Sequence, residues 1–218
     1  MLRNNSISEI LLLIPALLIS LTIHELSHGL AAFALGDNTA KRQGRLSLNP
    51  IRHIDWIGFI MLLTVGFGWA KPVPVDPRYF KDTKKGMAIT ALAGPVSNII
   101  LACISAFVLY LAGFIVMQGG NIYITSQKFY VTFILKLFVY NCAIAMFNFL
   151  PIPPLDGSKI LGAFLPNRIY YKYMQYERYG MIIMIVLLYS GFLTPVLSNG
   201  VSNLMNAIFK GVEFIIPG

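Results

Sequence analysis

Charge is scarce in this chain. Of its 218 residues only 12% are Asp, Glu, Lys or Arg, against 56% that are hydrophobic. A soluble domain carries about 25% charged residues to coat its surface. A water-soluble globular protein is therefore excluded, an integral membrane protein is expected, and the mean hydropathy of +0.69 agrees. Acidic residues are the rarer sign, 9 against 17 Lys and Arg. In a membrane chain that excess points to basic loops beside a lipid bilayer, and no nucleic-acid partner is expected. The two cysteines, Cys103 and Cys142, lie in apolar runs without metal-ligand spacing and read as reduced, buried thiols. No repeat and no low-complexity linker divides the chain, so residues 1–218 are expected to form one membrane domain.

Long apolar runs are what the chain has in plenty. A bilayer core takes about 20 apolar helical residues. Ile7–Leu35 is the first such run, and it extends beyond signal-peptide length, so it reads as a retained spanning helix. Met87–Gln118 and Phe129–Leu150 follow, the latter interrupted by Lys136 and Asn141. Met181–Leu197 is a fourth, and Val201–Ile216 a weaker stretch that spans or lies at the interface. The apolar segment IGFIMLLTVGFGWA is too short to span and suits a re-entrant or interfacial piece. RLSLNP alternates like a short strand, and KPVPVDPRYF is Pro-rich and extended. The expected fold is an all-α polytopic membrane protein with four spans, up to six, and a short membrane-associated β or re-entrant segment.

The positive charges orient it. Lys41, Arg42, Arg45, Arg52, Lys71, Arg78, Lys81, Lys84 and Lys85 lie between the first two long runs, and Lys159, Arg168, Lys172 and Arg178 follow the third. The opposite side has little beyond Arg3 and Lys128. The positive-inside rule then places 36–86 and 151–180 in the cytoplasm and the N-terminus outside the cell membrane. The C-terminal ends of the first and third spans thus arrive at one depth.

Charge inside a span is costly and marks function. The first span contains TIHELSHGLAAF, with His24, Glu25 and His28. Histidines four apart on a helix share a face one turn apart, so both reach one metal ion. Glu25 is then placed to act on water at that metal, the arrangement of zinc metalloproteases. A catalytic zinc usually takes three protein ligands and leaves one position open. Asp156, in NFLPIPPLDG after the third span, is the leading third ligand; a plain Asp-Gly turn is the bland alternative. GPVSN, with Gly94 and Asn98 four apart, reads first as close helix packing. His53 reads as a hydrogen-bonded loop residue or a substrate contact, and Lys136 as a snorkelling cation.

HELSH in the first span, GPVSN in the second and NFLPIPPLDG after the third resemble the site-2 protease family of intramembrane zinc metalloproteases, peptidase family M50. GRLSLNPIRHID and GWAKPVPV resemble segments of its compact bacterial members. The resemblance covers residues 8–165, a three-helix catalytic core, with C-terminal helices at about 169–216. It implies a metalloendopeptidase with one Zn²⁺ per chain, held by His24, His28 and Asp156, with Glu25 as general base. It also implies cleavage of a transmembrane segment of a single-pass protein, such as a membrane-anchored regulator or a remnant peptide. In the family Asn148 faces the site; its amide either supports the oxyanion or substrate backbone, or caps helix carbonyls freed by Pro151. Family members often carry a PDZ domain, and none is expected in residues 1–218. The competing class is a non-enzymatic zinc-binding protein or transporter. A transport path places polar groups at several depths, whereas here they gather near one face.

Overall fold

A computed structural model describes residues 7–65, 68–118, 121–126 and 128–215. The chain is an all-α polytopic membrane protein. It begins with α1 (Ile7–Ala34), the short α2 (Thr39–Arg42), α3 (Trp56–Val65) and α4 (Thr83–Leu111). A hairpin of β1 (Ile115–Gln118) and β2 (Asn121–Ile124) leads into α5 (Phe129–Asn148). The C-terminal part holds α6 (Asp156–Phe164), α7 (Asn167–Met174), α8 (Glu177–Tyr189) and α9 (Leu193–Ile215).

Among the described residues three helices are long and apolar enough to cross a membrane: Leu11–Ala34, Thr83–Leu111 and Phe129–Asn148. They pack mutually, α1 and α5 each against α4 and against one another, and α6 packs on α4. The first span ends where Gly36 takes φ +102°. There the N–H of Asp37 bonds Ala32 O at 2.9 Å and that of Gly36 bonds Phe33 O at 3.0 Å, satisfying the last helical carbonyls. At the other end of the loop, Asp82 caps α4 by accepting from Lys85 N. An apolar cluster forms where α4 and α5 meet α9. Ala102, Ala106, Leu109, Val131, Phe138 and Cys142 meet Ile208, Phe209 and Val212 of α9 there. Ile100, Ile104 and Leu111 of α4 are exposed, the face such a helix offers to lipid.

Four expectations need correction. The run Met87–Gln118 is not one helix: Gly113, at φ +67°, breaks it after Leu111, and β-branched residues from Ile115 onward pair with β2. Among the described residues the two-stranded sheet is that hairpin, and RLSLNP has no strand. In RLSLNP a turn bonds Ser47 N to Arg45 O, and Asn49 caps a 3₁₀ turn that starts at Pro50, a residue without an N–H to give a ladder. Met181–Leu197 is likewise two pieces. Gly191, at φ +74°, separates α8 from α9 across an 85° bend, and the bent pair adds at most a fourth span, so the described residues hold three or four. Pro195 sits in the first turn of α9, where its missing N–H costs nothing. Cys103 is exposed on α4, and Cys142 alone of the two is buried; both are free thiols.

The segment after the 3₁₀ turn holds α3, whose ten residues extend only about 15 Å. That length agrees with an interfacial or re-entrant piece, and residues 66–67 of it lie outside the described residues, as do Arg3 and Ile216. Ile54 bridges Ala70 antiparallel, and Lys71 N donates to His53 O at 2.9 Å, so the chain returns along itself to α1.

Candidate metal centre and active site

His24 and His28 project from one face of α1, as their four-residue spacing dictates. Both are buried, with exposures of 4% and 9%. Room for the two rings comes from α4: a Cβ on Gly94 would stand 2.5 Å from Nε2 of His28 and 2.6 Å from Cε1 of His24. The third group arrives on α6. Three prolines end α5 and turn the chain, and Asp156 then opens α6 with its carboxylate buried at 7% exposure. Gly157 lets this turn close, because a Cβ there would collide with the carbonyl oxygens of Phe149 and Leu150.

The three side chains converge. His24 Nε2 and His28 Nε2 are 3.0 Å apart, and Asp156 Oδ2 lies 3.2 Å and 3.1 Å from them. The outer ring nitrogens are engaged: His24 Nδ1 at 2.6 Å from Asn98 Oδ1, and His28 Nδ1 at 2.7 Å from the backbone oxygen of Thr90. A carbonyl oxygen accepts only, so each Nδ1 carries the proton and each Nε2 presents a bare lone pair. Asp156 Oδ2 is buried with no hydrogen-bond partner.

Three electron-pair donors facing one another at such distances repel unless a cation stands among them. The set is two imidazoles and one carboxylate, the donor chemistry of a catalytic zinc with one position left open. In a tetrahedral site with bonds of roughly 2.0–2.1 Å, ligand atoms are about 3.3 Å apart. The observed separations fall just inside that value, so the residues fit the ion. This trio is the only such cluster of His, Cys, Asp and Glu among the described residues.

Glu25 follows His24 on α1 and is half-buried. Its Oε2 accepts from Val73 N at 2.8 Å. Val73 stands between Pro72 and Pro74, which have no N–H, so it offers the single backbone donor of that stretch. The extended segment is tied down on either side. Arg45 Nη2 donates to Lys71 O at 2.7 Å, and Asp76 N donates to Asp37 Oδ2 at 2.7 Å. Arg45 is itself buried, and burial pushes its guanidinium below the usual value.

The remaining candidates divide. Asn148 donates from Nδ2 to Ile144 O at 3.0 Å, a bond within its own helix. His53 is buried and its Nε2 donates to Ser47 O at 2.7 Å, the loop role read from its neighbours. Asn98, read first as packing, contacts the metal centre directly through His24. The signal was its spacing: Gly94 and Asn98 on α4 repeat the four-residue interval of His24 and His28 on α1.

The profile of Peptidase family M50 matches residues 12–191. The chain belongs to peptidase family M50. This M50 protein is 41% identical over 205 residues to "Putative zinc metalloprotease YwhC" of Bacillus subtilis, covering 91% of this chain and 92% of that one. It is 26% identical over 196 residues to "Putative zinc metalloprotease Rip2" of Mycolicibacterium smegmatis, covering 86% and 69%. With "Putative zinc metalloprotease MJ0611" of Methanocaldococcus jannaschii it shares 34% over 108 residues, 48% of this chain and 49% of that one. No solved structure gives a significant match. The M50 protein is therefore a zinc metalloprotease of the site-2 protease family with several membrane-spanning helices.

Proposed function

We propose that this protein is an intramembrane endopeptidase that cleaves a transmembrane segment of a single-pass membrane protein. The observation that carries the reading is the convergence of His24, His28 and Asp156 inside a bundle of membrane-length helices. His28 stands six residues before the end of α1, and Thr90 seven residues after the start of α4. At 1.5 Å per residue both lie about 10 Å within the helix ends. The positive-inside rule assigns those ends to the cytoplasm, with the N-terminus outside and the protein in the cell membrane.

We assign His24, His28 and Asp156 as the ligands of one zinc ion, Glu25 as general base and Asn148 as a donor to the reacting carbonyl. When bound, zinc supplies acidified water and polarises the scissile carbonyl. Glu25 takes a proton from the attacking water on one carboxylate oxygen, while Val73 N holds the other. It then delivers that proton to the leaving amide nitrogen as the C–N bond breaks. Asn148 spends one N–H on Ile144 O, and its second N–H is the one assigned to the developing oxyanion.

A helical substrate hides its carbonyls in i→i−4 bonds and must unwind before attack. The two segments resembling the compact members bridge one another, Ile54 to Ala70, and GWAKPVPV continues past that bridge to meet Glu25 through Val73 N. It is the segment assigned to bind the unwound chain by strand addition. Proline scanning of 68–75 that left cleavage unchanged would remove this part of the reading.

The reading is tested with the purified protein and a panel of single-pass substrates, with soluble peptides of the same flanking sequence as controls. Zinc-dependent cleavage confined to the membrane-inserted substrates is expected. Cleavage of the soluble controls alone would leave a zinc protease but not an intramembrane one.

A further inference from the structure

A buried hydrogen-bond chain crosses three helices beside the metal centre. Ser20 of α1, Asn98 of α4 and Asn141 of α5 are each fully enclosed. Backbone carbonyls, which only accept, set the direction of every bond in it. Asn141 Nδ2 lies 2.7 Å from Leu137 O and 2.8 Å from Ser20 Oγ. The Ser20 hydroxyl gives its own proton to Ala16 O at 2.8 Å, so it too accepts from Asn141. The nitrogen of Asn141 is thereby fixed on that side, and its oxygen is left facing Asn98 Nδ2 at 2.7 Å. Asn98 Nδ2 spends its other hydrogen on Ser20 O at 3.2 Å. The orientation of Asn98 follows from two acceptors, and its Oδ1 is what remains to meet His24 Nδ1.

We propose that Asn141 is a positioning residue for the metal centre: acting through Asn98, it holds His24 with the proton on Nδ1 and Nε2 free to ligate. A reversed Asn141 would set its oxygen against Leu137 O, and a reversed Asn98 would offer N–H to His24 and favour the proton on Nε2, where it blocks the metal. The orientation travels from a carbonyl of α5, through two amides, to a ligand on α1. His28 is oriented independently by Thr90 O and serves as an internal control. The proposal rests on the zinc reading of the site, and its test does not use proteolysis.

The chain has three histidines, so selective ¹⁵N labelling gives a readable ring-nitrogen spectrum. The full-length protein is measured metal-free at about pH 9, above the ordinary imidazole range. His24 and His28 are expected as Nδ1–H tautomers, and His53 as the Nε2–H tautomer because its Nε2 faces Ser47 O. In Asn141→Leu the His24 signals move toward the Nε2–H tautomer, and those of His28 and His53 stay. Zinc affinity, read by competition with a chromophoric chelator, falls about 10–100-fold in Asn141→Leu. In Asn98→Ala the same substitution adds less than about threefold, because its route to His24 is already cut.

An Nε2–H His24 in the wild type overturns the proposal. So does an Asn141→Leu protein that keeps both tautomer and affinity, or a double variant whose losses simply multiply, as they would for helix packing alone. Should Asn141→Leu not fold, Ser20→Ala is read instead, since it removes one of the two acceptors that orient Asn141. A shift confined to His24 then supports the proposal, and an unchanged His24 contradicts it. Failure of the zinc reading itself would look different: a wild type that binds no zinc whatever the tautomer.

Discussion

Gly94 of α4 stands against His28 of α1 so closely that a single added carbon would reach 2.5 Å from its Nε2. The helix therefore leaves out a side chain where the metal centre needs its two rings. Gly94→Ala is expected to keep the helical fold, since alanine favours a helix, while pushing the imidazoles out of register. Zinc affinity should fall at least about tenfold, read by chelator competition with circular dichroism as the fold control. Wild-type affinity would mean that the rings do not occupy the positions described.

Gly157 does for Asp156 what Gly94 does for the histidines. A Cβ at Gly157 meets the carbonyls of Phe149 and Leu150, so Gly157→Val should swing the start of α6 away from α5. Zinc content of the purified protein is expected to drop along with that of Asp156→Ala. Full occupancy in both would leave the third ligand unassigned.

Val73 N is the donor that holds Glu25. Val73→Pro removes it where the neighbours on both sides are already proline, and Val73→Ala, which keeps the N–H, controls for the buried side chain. Cleavage should slow about 10–100-fold through loss of orientation, with zinc content unchanged. An unaltered rate would show that Glu25 does not use this bond during turnover.

Asn148→Ala is expected to slow turnover by about 10²-fold, the scale for loss of one oxyanion donor. A plain capping role predicts instead a lower melting temperature with kcat preserved. Measuring both separates the two readings of this amide.

The sequence carried the spans and the clustering of His24, His28 and Asp156 further than it carried the joints between the helices. The expected first span, 7–35, and third, 129–150, agree with α1 and α5 to within two residues at each end, because apolar length and a terminating Gly36 or Pro151 mark them plainly. His24, His28 and Asp156 were legible because charge in a span is rare and topology placed their segments at one depth. The hairpin at 115–124 was not, since Ile115 and its neighbours are as apolar as the helix before them and only Gly113 marks the break. Alternation in RLSLNP covered too few residues to outweigh Asn49 and Pro50, which together start a 3₁₀ turn. Asn98 and Asn141 looked like packing residues and interruptions because their meaning depends on which way each amide faces, and that is set by carbonyls of other turns and other helices.

The central claim is that these residues cut a peptide bond within the membrane. Its most direct test is to incubate wild-type and Glu25→Gln protein with a single-pass substrate in lipid vesicles, weigh the products by mass spectrometry, and assay zinc in both enzymes. The account predicts about one zinc per chain in each, a product pair whose ends map inside the substrate's apolar segment, and no products from Glu25→Gln. Products that persist undiminished in Glu25→Gln, or that map only to the soluble flanks, would contradict it.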